Sequence, residues 1–353
     1  LRQILISISM LFSNETLLGL TNFLTIVICA RYLGLNNFAV MGIFLLLLSY
    51  AESFGRFKSD ESSVFLVKKT SCEYNQIFFA SICISLLSST LIIMGSVIFS
   101  ELIFEFAFRS FDKKPSEYLA NLCAIFFVQV IFLNYTYACL AMQKIFTYGF
   151  INLIRSFIFF CSIIIAILFY DFNIKIMLYL MFLSYIFPLV YLVVDFERSQ
   201  GHTFSAPLGL FKELIITSKH FYFNSLALTL NFNMPMLLAS QFLSPGSIGL
   251  VAAAKGLSEL LFSRLASAFQ TKLFSLISNA GPELENLKKI TVQVFLICFS
   301  LLLIFFLVVF TFSEFLMLTL YGQEFKKSHH LVRIFTCGAL IYYSCFVFVP
   351  YLQ

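Results

Sequence analysis

The chain has 353 residues, of which 60% are hydrophobic and 12% charged, with a formal net charge of +5. Soluble domains carry about 25% charged residues, so this composition excludes a fold solvated by water on all sides. The small positive charge is spread without a basic block and gives nucleic-acid binding little support. With a mean hydropathy of +0.93, the length reads best as a count of membrane crossings of about 20 apolar residues each. Phe occurs 47 times and Trp not at all, so Phe fills lipid-facing positions and Tyr alone must supply the interfacial belt.

Ten long apolar segments follow in chain order, at about 4–30, 38–55, 76–100, 119–142, 148–170, 176–194, 214–239, 247–277, 291–312 and 331–350. Runs of this length predict helices and exclude barrel strands, because lipid offers the backbone no partners. The first segment is long enough to span, so no cleavable signal peptide is expected. The chain starts at Leu1, which suggests a missing or trimmed start. The eighth segment is the least apolar and needs protection by its neighbours. Lys and Arg concentrate in the loops that an inside N-terminus places in the cytoplasm, among them Arg56, Lys58, Lys68, Lys69, Lys288 and Lys289. That bias predicts the orientation. The two longest loops, near 56–75 and 195–213, then face the cytoplasm. The nine cysteines form no C-x-x-C pair and lie mostly in apolar runs, where Cys acts as a small hydrophobe. His329 and His330 are adjacent and point about 100° apart on a helix, so no metal or other cofactor is expected.

Slid by 210 residues, Tyr32–Val40 lies over Phe242–Leu250, and each stretch joins two spans on the outer side. Slid by 213, Asp112–Pro115 lies over Phe325–Ser328, each before a span. Two matches at nearly one offset suggest a duplicated unit. The first unit, residues 1–210, would be a six-helix lobe. The second, 211–353, would hold four helices. Six is even, so the repeats run parallel, about an axis along the membrane normal. Gln353 maps to about Gln143, so the counterparts of spans five and six are expected either beyond this chain or not at all, in a shortened second half.

The stretch Ala30-Arg31-Tyr32-Leu33-Gly34-Leu35-Asn36-Asn37-Phe38 resembles the "ARYLGPEDFG" turn of Wzx-type O-antigen and polysaccharide-biosynthesis flippases. These belong to the multidrug/oligosaccharidyl-lipid/polysaccharide (MOP) exporter superfamily. Residues Asn233 to Lys255 are similar to that family's "D-x-x-L-L-A-x-F-L-x-x-x-x-V-G-x-Y-x-A-A". Leu320-Tyr321-Gly322-Gln323-Glu324-Phe325 resembles its "L-x-G-x-x-F/Y". Asn233 stands where the family often has Asp, and Val251 where it has Tyr. The resemblance implies an all-α, two-lobed MATE-like bundle in the bacterial inner membrane. It implies export of undecaprenyl-pyrophosphate-linked O-antigen or capsule repeat units from the cytoplasmic to the periplasmic leaflet, without enzymatic chemistry. Lipid-linked oligosaccharide, membrane lipids, and a polysaccharide polymerase with its chain-length regulator would be the partners.

Charges inside spans cost at least about 2.5–3.5 kcal/mol each and mark candidate function. Arg264, Arg155 and Lys255 form an expected cationic cavity for a pyrophosphate headgroup, with Arg offering a fork to phosphate oxygens. Lys255 and Glu259 are one turn apart and should pair. Glu15, Asn22, Glu259 and Asn233 form an expected polar stripe facing that cavity. Glu52 and Arg56, also one turn apart, read as an interfacial pair at the inner end of the second span. Two other readings stay open. A cation-coupled multidrug antiporter of the same superfamily would need a carboxylate deep in a lobe, and Glu15 is the candidate. A membrane-embedded polymerase would need a large outer loop with clustered catalytic residues, and the longest outer stretch, about 101–118, is short and carries no such pattern.

Overall fold

The structure, a computed structural model, describes residues 2–67, 73–111, 116–142, 144–200, 205–279 and 284–346. Within its helices, the side chains at 2–15, 145, 199–200, 260–261, 264–265, 267–279, 284–291, 293–294 and 346 lie outside the description. The chain folds as helices α1 (Arg2–Gly55), α2 (Ser59–Leu66), α3 (Tyr74–Ile98), α4 (Ser100–Ala107), α5 (Leu119–Ala141) and α6 (Ile145–Phe169). These are followed by α7 (Ile174–Gln200), α8 (Leu208–Phe242), α9 (Pro245–Asn279), α10 (Leu284–Leu316) and α11 (His329–Phe346). No strand occurs among the described residues. All ten expected segments fall on these helices, the first two sharing α1. Among the described residues six stretches, Thr16–Gly55, Tyr74–Ile98, Ser116–Ala141, Phe146–Phe169, Ile174–Arg198 and Phe295–Tyr321, are long and apolar enough to cross a bilayer. The first has 40 residues, enough for two crossings.

The two crossings in α1 are separated by a break at Gly34, whose φ of 70° and ψ of 172° fall outside helical space. Only glycine adopts that conformation readily, because a Cβ would clash with the backbone. The expected outer turn around Tyr32–Phe38 is therefore a sharp bend in a nearly continuous helix.

By packing, the chain divides into two compact units, one of residues 1–38 and 249–353 and one of residues 39–248. This division runs through α1 and α9, whereas the sequence repeat is bounded at 210. In the unit of residues 39–248, α5 packs on α3, α6 and α7, while α2 is held by α3, α5 and α8. In the other unit α10 packs on α11. There Arg31 donates from Nε to the Leu320 carbonyl at 2.6 Å and from Nη2 to the Thr319 carbonyl. It thereby ties α1 to the helical turn Met317–Tyr321 that follows α10, at a helix end where carbonyls lack partners. The ring of Phe38 meets that of Phe325 edge-on at 5.6 Å. Gly249 lets α9 approach α1 closely: a Cβ there would lie 2.4 Å from the Leu35 carbonyl oxygen.

Candidate functional site

The densest charge in the described structure lies where α1 hands over to α2. The last turn of α1 supplies Glu52 and leads into Arg56, four residues on, and the first turn of α2 supplies Asp60 and Glu61. Phe57 and Lys58 connect the two with φ of 50° and 55°. Left-handed backbone costs a non-glycine residue roughly 1–2 kcal/mol, so the surrounding contacts must hold this turn. Phe57 does so in part, with its ring centroid 5.0 Å from that of Tyr222.

The fold-back buries Arg56 to 1% exposure among three carboxylates. Its Nη1 donates to Glu52 Oε1 at 3.1 Å and its Nη2 to Glu61 Oε1 at 2.8 Å. Its Nε lies 3.2 Å from Asp60 Oδ2, close enough to pair by charge, though neither atom is aligned for a hydrogen bond. Lys58 Nζ donates to Glu61 Oε1 at 2.5 Å, and Tyr137 of α5 donates to the same oxygen at 3.2 Å. The other oxygen of Glu52 accepts from Gln129 of α5 at 2.7 Å. The Asp60 side chain is fully enclosed, and its Oδ1 accepts the Glu61 N–H at 2.9 Å.

These surroundings act differently on the three groups. Burial pushes the Asp60 carboxyl up from its usual value, and the opposing pull of Arg56 does not cancel the push. Burial also works against the charge on Glu61, but Lys58 and Arg56 outweigh it and hold that carboxyl below the usual range. Burial alone would lower Arg56; Asp60 and Glu52 reverse this and keep it charged.

Beneath the charges lies a layer of buried hydroxyls. Ser59 Oγ donates to the Ser81 carbonyl at 2.9 Å and shares a hydrogen bond with Ser85 Oγ at 2.7 Å. Ser81 and Ser85 both reach Asn134 Oδ1 on α5. Ser62 pairs with Ser218 of α8 at 2.5 Å. Small hydroxyl residues let helices approach closely and hydrogen-bond where no water competes. A polar seam continues along α1, with Ser53 on Thr229 at 2.6 Å and Asn233 donating to Ser49 at 3.0 Å. Next to this seam is an apolar cavity of about 460 Å³, lined by Tyr50, Ala51, Phe54, Phe126, Leu230 and Leu237 among others.

The residues expected from sequence are distributed as follows. Lys255 and Glu259 on α9 are paired at 3.2 Å. Arg155 on α6 places its guanidinium 4.7 Å from the ring centroid of Tyr185 on α7 and is half-buried. Asn233 is spent on Ser49, within the same unit as Arg155. Asn22 on α1 is half-buried. Asn22, Lys255 and Glu259 belong to the unit of residues 1–38 and 249–353. The side chains of Glu15 and Arg264 lie outside the described residues. Glu52 and Arg56 pair as expected, at 3.1 Å, but not at a surface: Arg56 is among the largest fully buried side chains, because α2 folds back against α3, α5 and α8. Asp60 and Glu61 escaped the sequence reading altogether. Their signal was present as Glu52-x3-Arg56-x3-Asp60, with serines at 81, 85 and 89 one face apart on the next helix. Among the described residues no cluster of His, Cys, Asp or Glu is placed to hold a metal.

No curated protein matches this chain in sequence. Among solved structures, that of the lipid II flippase MurJ in an inward closed conformation matches with a TM-score of 0.76 at 15% identity, over 97% of this chain and 76% of that one. At that identity the match establishes a shared fold, and with it a polytopic helical membrane architecture. The model of a family described as polysaccharide biosynthesis protein matches residues 28–330, well over half of the chain, and the chain therefore belongs to the polysaccharide biosynthesis protein family.

Proposed function

We propose that this protein is a flippase for lipid-linked oligosaccharide in the bacterial inner membrane, moving undecaprenyl-pyrophosphate O-antigen or capsule repeat units from the cytoplasmic to the periplasmic leaflet. The observation that carries the reading is the family match over residues 28–330 on a fold shared with a lipid II flippase. A lipid-linked sugar needs a path for a polar, anionic head and a separate place for its chain. The polar seam along α1 and α8 beside an apolar cavity of about 460 Å³ suits such an amphiphile. Arg264, Arg155 and Lys255 are the candidate headgroup cations. Arg155 makes no ion pair among the described residues, and its stacking on Tyr185 leaves its donors directed by an aromatic face and not by a carboxylate. Lys255 is partly neutralised by Glu259, so of the two described cations Arg155 should bind phosphate more strongly. The protein transports and does no covalent chemistry in this reading, with a two-lobed cycle that exposes the site to each leaflet in turn.

The test is surface polysaccharide in cells lacking the native gene, with membrane protein levels followed alongside. Arg155→Ala and Arg264→Ala should each reduce polysaccharide at normal expression, and the corresponding Lys variants should reduce it less, since they keep the charge but lose the fork. Full polysaccharide from Arg155→Ala, Arg264→Ala and Lys255→Ala would show that these charges are only structural.

A further inference from the structure

We infer that Asp60 is a proton-binding site, built into the junction of α1 and α2, that alternates between a neutral and an ionised carboxyl while the protein remains folded. The inference concerns a site distinct from the headgroup cations, and it stands whether or not the cargo is a lipid-linked sugar.

The geometry points to Asp60 by elimination. Within ion-pairing distance of one another are two cations, Arg56 and Lys58, and three carboxylates, Glu52, Asp60 and Glu61. With all three carboxylates ionised, this enclosed group carries one uncompensated negative charge. Such a charge is expensive away from water, and a titratable group ordinarily neutralises instead. Glu52 and Glu61 each accept hydrogen bonds from a guanidinium nitrogen and from a further donor, Gln129 or Lys58, and keep 29% and 25% exposure. Both are satisfied as anions. Asp60 is the exception. Its side chain is wholly enclosed, one oxygen takes a single backbone N–H, and Oδ2 receives no hydrogen bond from any donor. Facing Arg56 Nε at 3.2 Å without alignment, Oδ2 is the oxygen on which a proton restores balance: two cations against two carboxylates.

The other groups facing this carboxyl do not supply the missing charge. From α1 it meets Arg56 and, beyond it, Glu52. From the connecting turn it meets Lys58, from α2 Glu61, and from α5 Tyr137, whose hydroxyl is engaged by Glu61. The contacts of α2 with α3 and α8 are made by neutral groups, the serine pairs Ser59 with Ser81 and Ser85 and Ser62 with Ser218, and Leu66 packed on Ile77, Ala80, Leu210 and Leu214. Arg155, in the same unit, has its guanidinium across Tyr185 and pairs with none of the three carboxylates.

The strained turn at Phe57 and Lys58 gives proton binding a structural handle. Ionised Asp60 pulls on Arg56 in competition with Glu52 and Glu61, and protonation releases Arg56 to those two. The Arg56 main chain adjoins the left-handed residues directly, so the state of Asp60 biases the α1–α2 connection.

The experiment reads the proton itself and not transport. Purified full-length protein in lipid nanodiscs is titrated by infrared difference spectroscopy, following the protonated carboxyl stretch between about pH 5 and pH 9, the range that buried carboxyls reach. A band that titrates in the wild type and vanishes in Asp60→Asn, while persisting in Glu52→Gln, is the expected result. Glu61→Gln removes a neighbouring negative charge and should move the midpoint down by on the order of one pH unit. If Asp60→Asn cannot be recovered folded, the Glu61→Gln shift decides. A wild-type protein without a titrating carboxyl in that range, a band that survives Asp60→Asn, or an unmoved midpoint in Glu61→Gln would overturn the assignment. Since no cargo is present, failure here leaves the flippase reading untouched, and loss of polysaccharide export leaves this site untouched.

Discussion

Replacing Arg56 by Met tests the idea that the α1–α2 junction is held by charge. Met matches the length of the aliphatic stem but leaves Asp60, Glu52 and Glu61 without their common partner. Breaking a buried ion pair from one side costs about 3–5 kcal/mol, because the remaining charge stays desolvated. Here Asp60 is fully enclosed, while Glu52 and Glu61 are 29% and 25% exposed and can turn toward solvent. With Arg56 gone, Asp60 takes up a proton instead of remaining a buried anion, which caps the penalty and places the loss near the lower end, about 3 kcal/mol. For a unit of the size of residues 39–248, each kcal/mol lowers the melting temperature by roughly 2–4 °C, so a fall on the order of 10 °C is expected. The chain has no Trp, but it offers Cys139, which is buried in this unit at 3% exposure. With the other eight cysteines replaced, a thiol-reactive dye added to detergent-solubilised protein during heating will report its exposure. Arg56→Met/Asp60→Leu removes both charges at once and should regain at least half of the loss, since apolar replacement of a buried pair is often neutral or stabilising. A single variant that melts within about 3 °C of the wild type, or a double variant worse than the single, would refute the electrostatic account.

Other outcomes follow from the same geometry. Gly249→Ala places a Cβ 2.4 Å from the Leu35 carbonyl oxygen, where backbone must move, and should destabilise by about 1–3 kcal/mol. Gly256→Ala, whose Cβ would meet its nearest neighbours at 3.9 Å, should be neutral or slightly stabilising in a thermal melt of the same preparation. Gly34→Ala forces a φ of 70° on a residue with a Cβ and should cost roughly 1–3 kcal/mol. Stability should also depend on pH in two opposed ways. Asp60, raised in the folded state, contributes stability that is complete below its ordinary value of 3.8 and is lost as pH rises through its folded value. Glu61, lowered in the folded state, contributes stability present above its ordinary value of 4.5 and lost as pH falls through its folded value. Melts of Asp60→Asn and Glu61→Gln across pH should flatten the alkaline-side and acid-side losses respectively. For orientation, Glu73→Cys and Glu117→Cys, both exposed, should be labelled from the inside and the outside of intact cells respectively. The reverse pattern would invert the topology.

Most of the helical framework was legible because lipid leaves the backbone few options. Apolar runs near 20 residues must be helices, and each of the ten read from sequence lies on one. Polar connections were harder. The turn at Gly34 could be placed from Arg31-Tyr32-Leu33-Gly34, but its form, a bend within a nearly continuous helix, depends on Arg31 reaching the carbonyls of Thr319 and Leu320. A contact between residues so distant in sequence leaves no periodic trace. The loop at 56–75 looked like cytoplasmic linker because it is polar. Its first part is in fact the buried helix α2, whose Ser59, Ser62 and Ser63 are enclosed. Polarity read as solvation there because hydroxyls that serve neighbouring helices have the same composition as hydroxyls that face water.

The same ambiguity explains why the sequence drew attention to Arg155, Lys255 and Arg264 and read Arg56 only as half of an interfacial pair. Insertion cost ranks a charge by its depth along an extended span, and Arg56 sits just past the end of one. What isolates it from water is the left-handed pair Phe57–Lys58, which turns the chain back so that Asp60 comes within 3.2 Å of Arg56. Two non-glycine residues in that conformation would normally relax. They are retained because relaxing them would pull Asp60 and Glu61 away from Arg56 and leave the guanidinium unpaired inside the bundle. Strain and charge thus hold each other in place. The cluster is stable only while its charges nearly balance, which is why the protonation of a single carboxyl can weigh on the path of the backbone through this junction.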